Sequence, residues 1–170
     1  IPSAAIAAVF TGKQVAELIG RGDDIDDGRL QKKVKVVEQA LACNTPNAKD
    51  GLDVLTKVGG LEIGAIAGLI LGAAAKRKPV VVDGFVATAG AMIAWSLEPF
   101  VRDYLICSHG STEPGHAALL EKLQLRPLLD LKQRLGEGSG AMLALPLVEA
   151  AAAALTEMAS FAGAGVSPAG

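Results

Sequence analysis

Pro79-Val-Val-Val-Asp83 is the segment that most restricts what this chain can fold into. Three β-branched residues in a row, with no polar alternation, form a strand that wants cover on both faces, the habit of parallel sheets. A carboxylate ends the strand, and residues 84–95 continue as an apolar helix. Tyr104-Leu-Ile-Cys107 is a second strand of the same kind, and it runs into Ser108-His-Gly-Ser111. Residues 114–123 then read as a helix with Pro114 in its first turn, where a missing N–H costs nothing. Strand and helix alternate, so the expected class is α/β with a parallel sheet and right-handed crossovers.

The rest of the chain is mostly helical, giving an expected three-layer, Rossmann-like parallel sheet flanked by helices. Residues 4–10 and 14–19 read as short helices. An acidic turn over 23–27 offers Asp26 or Asp27 as a cap for a helix over 28–42, whose Leu30, Val34, Val37 and Leu41 repeat at three and four. Residues 50–58 form another helix. Residues 61–77 are expected to be a buried helix, with Gly64, Gly68 and Gly72 forming a smooth stripe for close packing. Residues 128–135 are short and apolar-periodic and are expected to be helical. A glycine loop over 136–140 leads into an Ala-rich helix over 141–162. One domain is expected over 1–166, with 167–170 a disordered tail. In open α/β sheets, ligands bind beyond the carboxyl ends of the strands. The loops at Asp83-Gly84, 108–111 and 136–140 are all expected on that edge.

Composition excludes several classes. Among 170 residues, 51% are hydrophobic, and the formal charge is −2 with both signs interspersed. No basic tract alternates with aromatics, so nucleic acid is not an expected partner. Cys43 and Cys107 form no metal-type spacing with His109 and His116, and a reducing cytoplasmic setting is expected. The apolar run 63–75 is closed by Lys76-Arg77-Lys78 and falls short of the roughly 20 residues a spanning helix needs. The second rich stretch, 141–161, carries Pro146, Glu149 and Glu157, so no membrane span is expected. A membrane-associated helical protein stays open as the contrary reading. The chain starts at Ile1-Pro-Ser-Ala, which reads like the interior of a protein; the expectation is the C-terminal portion of a larger enzyme.

Leu135-Gly-Glu-Gly-Ser-Gly140 is the sharpest chemical motif. Glycines around one carboxylate allow positive φ and close ligand approach, and the loop opens a helix whose free N–H groups favour an anion. Glu137 is thus either a base held beside a substrate or a solvent-facing residue in a capping loop. Ser108-His-Gly-Ser-Thr-Glu-Pro-Gly-His116 suits a phosphate, or is an ordinary polar loop; no G-x-S-x-G surrounds either serine. Asp83 occupies a strand end, a good site position, but also suits capping of the next helix. Lys33 sits with Arg29, Lys32 and Lys35 on a polar helix face. Glu62 stands in the first turn of its helix, where a carboxylate is favoured by the dipole.

Taken in order, these blocks resemble the nicotinate-nucleotide–dimethylbenzimidazole phosphoribosyltransferases. The matching stretches are Gly20-Arg-Gly22, Lys33-Val-Lys-Val-Val-Glu38, Gly59-Gly-Leu-Glu-Ile63, Pro79-Val-Val-Val-Asp-Gly-Phe85, Arg102-Asp-Tyr-Leu-Ile106, Ser108-His109, Glu113-Pro-Gly-His116, Pro127-Leu-Leu-Asp-Leu131 and Arg134-Leu-Gly-Glu-Gly-Ser-Gly-Ala141. The resemblance implies transfer of a phosphoribosyl group from nicotinate mononucleotide to 5,6-dimethylbenzimidazole, within the assembly of the cobalamin nucleotide loop. It implies Glu137 as the base that takes the benzimidazole N–H proton. It implies substrate contacts from Gly20, Gly22, Lys33, Asp83, Ser108, Ser111, Leu135, Gly136 and Gly138, with Glu62 a further candidate, no metal or cofactor, and a homodimer. The competing reading is a non-catalytic α/β module that holds a nucleotide or an azole without turnover.

Overall fold

The computed structural model describes residues 1–20, 26–133 and 135–166. Gly22, the first residues of the acidic turn, Arg134 and the expected tail 167–170 lie outside the described residues. Two apolar helices form the centre. Helix α1 (Pro2–Thr11) starts with Pro2 at its first position and stops at Gly12, which takes a left-handed φ of 69°. Its residues from Ser3 to Ala8 are all buried. The short α2 (Val15–Leu18) follows, and then α3 (Asp27–Asn44), capped by the Asp26 side chain, which accepts from the Arg29 N–H at 2.8 Å. Helix α4 (Gly51–Val58) is capped by Asp50.

Helix α5 (Leu61–Ala75) differs from expectation. Only Ile63, Ala67 and Ile70 are buried, a single stripe at spacings of four and three. Gly68 and Gly72 face open space, and Gly64 makes only ordinary contact with Leu55. The close approach comes from the partner helix instead. In α6 (Phe85–Leu97), a Cβ at Gly90 would run into Ile66, so Gly90 is what lets α5 and α6 pack tightly. Residues Thr88 to Ala94 of α6 are buried, with α5, α4 and helix α7 (Pro114–Leu123) packed around them.

The strands are short and parallel. Strand β1 (Val80–Val82) pairs with β2 (Leu105–Cys107) in the register Val81↔Ile106. A 3-10 turn, Pro99–Tyr104, leads into β2. After Ser108 the chain continues as β3 (His109–Ser111), which pairs with β4 (Leu129–Gln133). The stretch 105–111 is therefore nearly one extended run, shared between two strand pairs. Val80 and Val81 are half-buried, so β1 is covered less fully than its unbroken valines imply.

The segment expected to be helical over 128–135 is instead β4. Leu129 and Leu131 alternate with Asp130 and Lys132, a period of two, and pairing with β3 decides the matter. The register slips between His109 and Ser111, and Lys132 takes a left-handed φ of 51° there. The loop expected over 108–111 accordingly holds β3. The last helix, α8 (Ser139–Glu157), begins two residues earlier than expected and ends five earlier. It is apolar, with a mean hydropathy of 1.5 over 18 residues, and mostly exposed; by length and composition alone it is able to cross a membrane.

Candidate active site

The glycine loop before α8 is built from left-handed backbone. Gly136, Glu137 and Gly138 have φ of 77°, 57° and 83° in succession. Two glycines accept this freely, but Glu137 is strained by it, because its Cβ crowds the carbonyl. Ser139 closes the turn: its N–H donates to the Gly136 carbonyl at 3.1 Å and its hydroxyl at 2.7 Å. Gln133 of β4 donates to the Ser139 hydroxyl oxygen at 2.8 Å. Strand β4 and the loop are thereby tied together.

Helix α8 has no cap of its own, since Gly138 occupies the capping position. Asp83, at the end of β1, supplies it from 55 residues away. One carboxylate oxygen accepts the Gly138 N–H at 3.1 Å and the other accepts the Ala141 N–H at 3.0 Å. The His109 ring fills the space beside them. A Cβ at Gly140 would overlap that ring. His109 Nδ1 lies 3.0 Å from the Ser108 hydroxyl and 3.8 Å from an Asp83 carboxylate oxygen. The three loops expected on one sheet edge do meet.

They enclose a hollow of about 340 Å³, lined by Asp83, Phe85, His109, Ser111, Leu135 and Glu137 among others. A second hollow of about 170 Å³ holds Gly20 and Lys33, and it shares Phe85, Val86 and Glu113 with the first. Glu62 stands exposed in the first turn of α5 and lines neither hollow. Ser108 lines neither hollow. It is fully buried, behind the wall that His109 forms. The Gly138 N–H is taken by Asp83, and Leu135 and Gly136 line the larger hollow.

His116 braces the opposite wall. Its Nδ1 accepts the Ser111 N–H at 3.1 Å, so the ring proton sits on Nε2 and donates to the Thr88 hydroxyl at 3.0 Å. Thr88 in turn donates to the Gly84 carbonyl at 3.0 Å. Burial, and then the neighbouring His109, push the His116 pKa down to about 4, against a weaker upward pull from Asp83. The ring is neutral at pH 7, with both nitrogens engaged inside the protein. Cys107 is buried too, and its thiol is pushed up to about 11 by desolvation. Such a thiol is not a nucleophile near neutrality.

Phe85, Val86, His109 and Glu113 line the hollows without having been singled out from the sequence. The signal for Phe85 and Val86 was present: they directly follow the strand-ending Asp83-Gly84. Glu113 stood inside the serine–histidine loop. His109 was legible as part of the Ser108-His109 block, but not as a wall of the hollow.

The sequence profile of the family described as "Phosphoribosyltransferase" matches residues 1–166. A nicotinate-nucleotide–dimethylbenzimidazole phosphoribosyltransferase of Desulforamulus reducens is 58% identical over 166 residues, covering 98% of this chain and 47% of the relative. That of Desulfotalea psychrophila is 60% identical over 161 residues, 94% of this chain and 45% of the relative. The crystal structure of CobT from Thermus thermophilus superposes with a TM-score of 0.91 at 46% identity, over 99% of this chain and 50% of that one. The chain thus spans about half the length of the relatives it matches.

Proposed function

Because this chain belongs to the nicotinate-nucleotide–dimethylbenzimidazole phosphoribosyltransferase family, we propose that its residues serve the transfer of phosphoribose from nicotinate mononucleotide to 5,6-dimethylbenzimidazole. The products are nicotinate and α-ribazole 5′-phosphate, in assembly of the cobalamin nucleotide loop. A benzimidazole nitrogen attacks the anomeric carbon. The bond to nicotinate breaks with inversion, and the departing pyridinium ring leaves neutral at nitrogen. As the new C–N bond forms, Glu137 accepts the proton of the benzimidazole N–H. A carboxylate does this only within hydrogen-bond reach of that nitrogen. Leu135 and Gly136 border the base. Gly22, Lys33 and Ser111 serve the phosphate and ribose, where a fixed ammonium and a hydroxyl suit a dianion.

The observation that carries this reading is the exposed Glu137 carboxylate at the rim of a hollow that adjoins the one holding Lys33. The proposal includes a cytoplasmic homodimer in which α8 packs against protein rather than lipid, since Glu149 and Glu157 are costly within a bilayer. Solubility without detergent and the mass in solution test that part. The central test is Glu137→Gln in a protein of the relatives' full length. Turnover is expected to fall by about 10²- to 10⁴-fold, the usual worth of a general base, with nicotinate mononucleotide still bound. Unchanged turnover would overturn Glu137 as the base; binding without turnover in the parent protein would favour a non-catalytic module.

A further inference from the structure

We propose that Asp83 is a positioning residue, which sets the catalytic loop by holding the backbone that directly follows Glu137, at Gly138 and Ala141, and touches no substrate itself. This rests on the reading of Glu137 as the base.

Three observations support it. First, each carboxylate oxygen of Asp83 accepts one backbone N–H, from Gly138 at 3.1 Å and Ala141 at 3.0 Å. Those donors are the N–H groups at the capping position and at the third residue of α8, the pair that a local capping box satisfies with its own side chains. Here Gly138 has no side chain to give, and the distant strand supplies the acceptor. Second, the loop has few other ties. Leu135 is 76% exposed, and besides Asp83 the loop's described polar ties run through Ser139, Gln133 and the first-turn bond from the Met142 N–H to the Gly138 carbonyl. Third, Glu137 has a left-handed φ of 57°, a conformation that a non-glycine residue keeps only when its surroundings impose it. Asp83 is the group that imposes it from the sheet. His109, wedged against Gly140 and 3.8 Å from the Asp83 carboxylate, keeps that carboxylate from turning away. A carboxylate with both oxygens aimed at backbone donors is oriented for holding, so the substrate contact expected of Asp83 gives way to an indirect role.

The consequence separates binding from chemistry. Asp83→Asn keeps the side-chain shape but replaces one acceptor with an amide that faces a backbone donor. In a protein of the relatives' full length, kcat is expected to fall by about 10-fold or more, the usual effect of a misplaced catalytic group. KM for nicotinate mononucleotide is expected to change by less than about 3-fold, because Gly20 and Lys33 occupy the neighbouring hollow. In a Glu137→Gln background the same change is expected to add less than about 2-fold, since residues acting as a unit are not additive. Hydrogen exchange of the Gly138 and Ala141 amides should speed up in Asp83→Asn, while exchange in α6 does not. Multiplying losses in the double variant, or unchanged exchange at those two amides, would overturn the proposal. If Glu137→Gln itself leaves turnover intact, the reading of the base fails; the exchange measurement still decides whether Asp83 holds the loop.

Discussion

Two walls of one hollow are held in opposite ways. The wall at Ser111 is braced from inside by His116, fully buried, with each ring nitrogen engaged and Thr88 passing the chain of hydrogen bonds to Gly84. The wall at Glu137 is an exposed loop of left-handed residues, tied down by Asp83 across the sheet edge. The first is a low-dielectric network, in which any missing partner leaves an unsatisfied buried group. The second stores strain around one exposed carboxylate, the base of the proposed transfer. Changes in the first wall should therefore register as lost stability, and changes in the second as lost chemistry.

The largest stability effect is expected at the buried wall. His116→Ala leaves a cavity, takes the acceptor from the Ser111 N–H and one of its two partners from the Thr88 hydroxyl, and should cost about 4 kcal/mol in urea unfolding. A loss near zero would mean that the network does not brace the wall. The pH dependence comes next. Because burial lowers the His116 pKa to about 4, the unfolded chain binds a proton below its ordinary 6.5 that the folded chain refuses. Stability from this group is complete above pH 6.5 and is lost progressively as pH falls toward 4. The loss approaches about 3 kcal/mol, on the scale of 1.4 kcal/mol per pKa unit. Unfolding measured between pH 7.5 and 4.5 should show this slope, and a variant lacking His116 should lack it.

Gly140 joins the two walls. Gly140→Ala drives a methyl into the His109 ring, and should cost about 2 kcal/mol, the usual size of an overpacked core site. It should also raise the exchange rate of the Ala141 amide. An undisturbed Tm would show that His109 moves aside freely and is no wedge.

How much of this was legible in the sequence follows from distance along the chain. Val80 to Val82 declare a parallel strand by their own chemistry, though only Val82 is fully covered, and the helices declare themselves by spacing, as Leu30, Val34, Val37 and Leu41 do. The five residues of β4 were too few for period two to win over period 3.6, and only the partner β3 decides them. Gly64, Gly68 and Gly72 form a stripe in sequence, yet the close approach is at Gly90, because packing depends on which face the neighbour takes. The positive-φ loop around Glu137 was legible from its glycines. What holds it was not, because the Asp83 bonds cross more than 50 residues and no local pattern records them.

The smallest expected change in stability carries the most direct test. Glu137→Gly removes the proposed base and relieves the left-handed strain at φ 57°, so the protein should gain about 1 kcal/mol. Turnover of nicotinate mononucleotide and dimethylbenzimidazole by that variant, at full length, is the measurement to make beside its Tm. A raised Tm with turnover reduced by at least about 100-fold is the predicted result. Turnover kept at the parent level would contradict the assignment of Glu137 as the base.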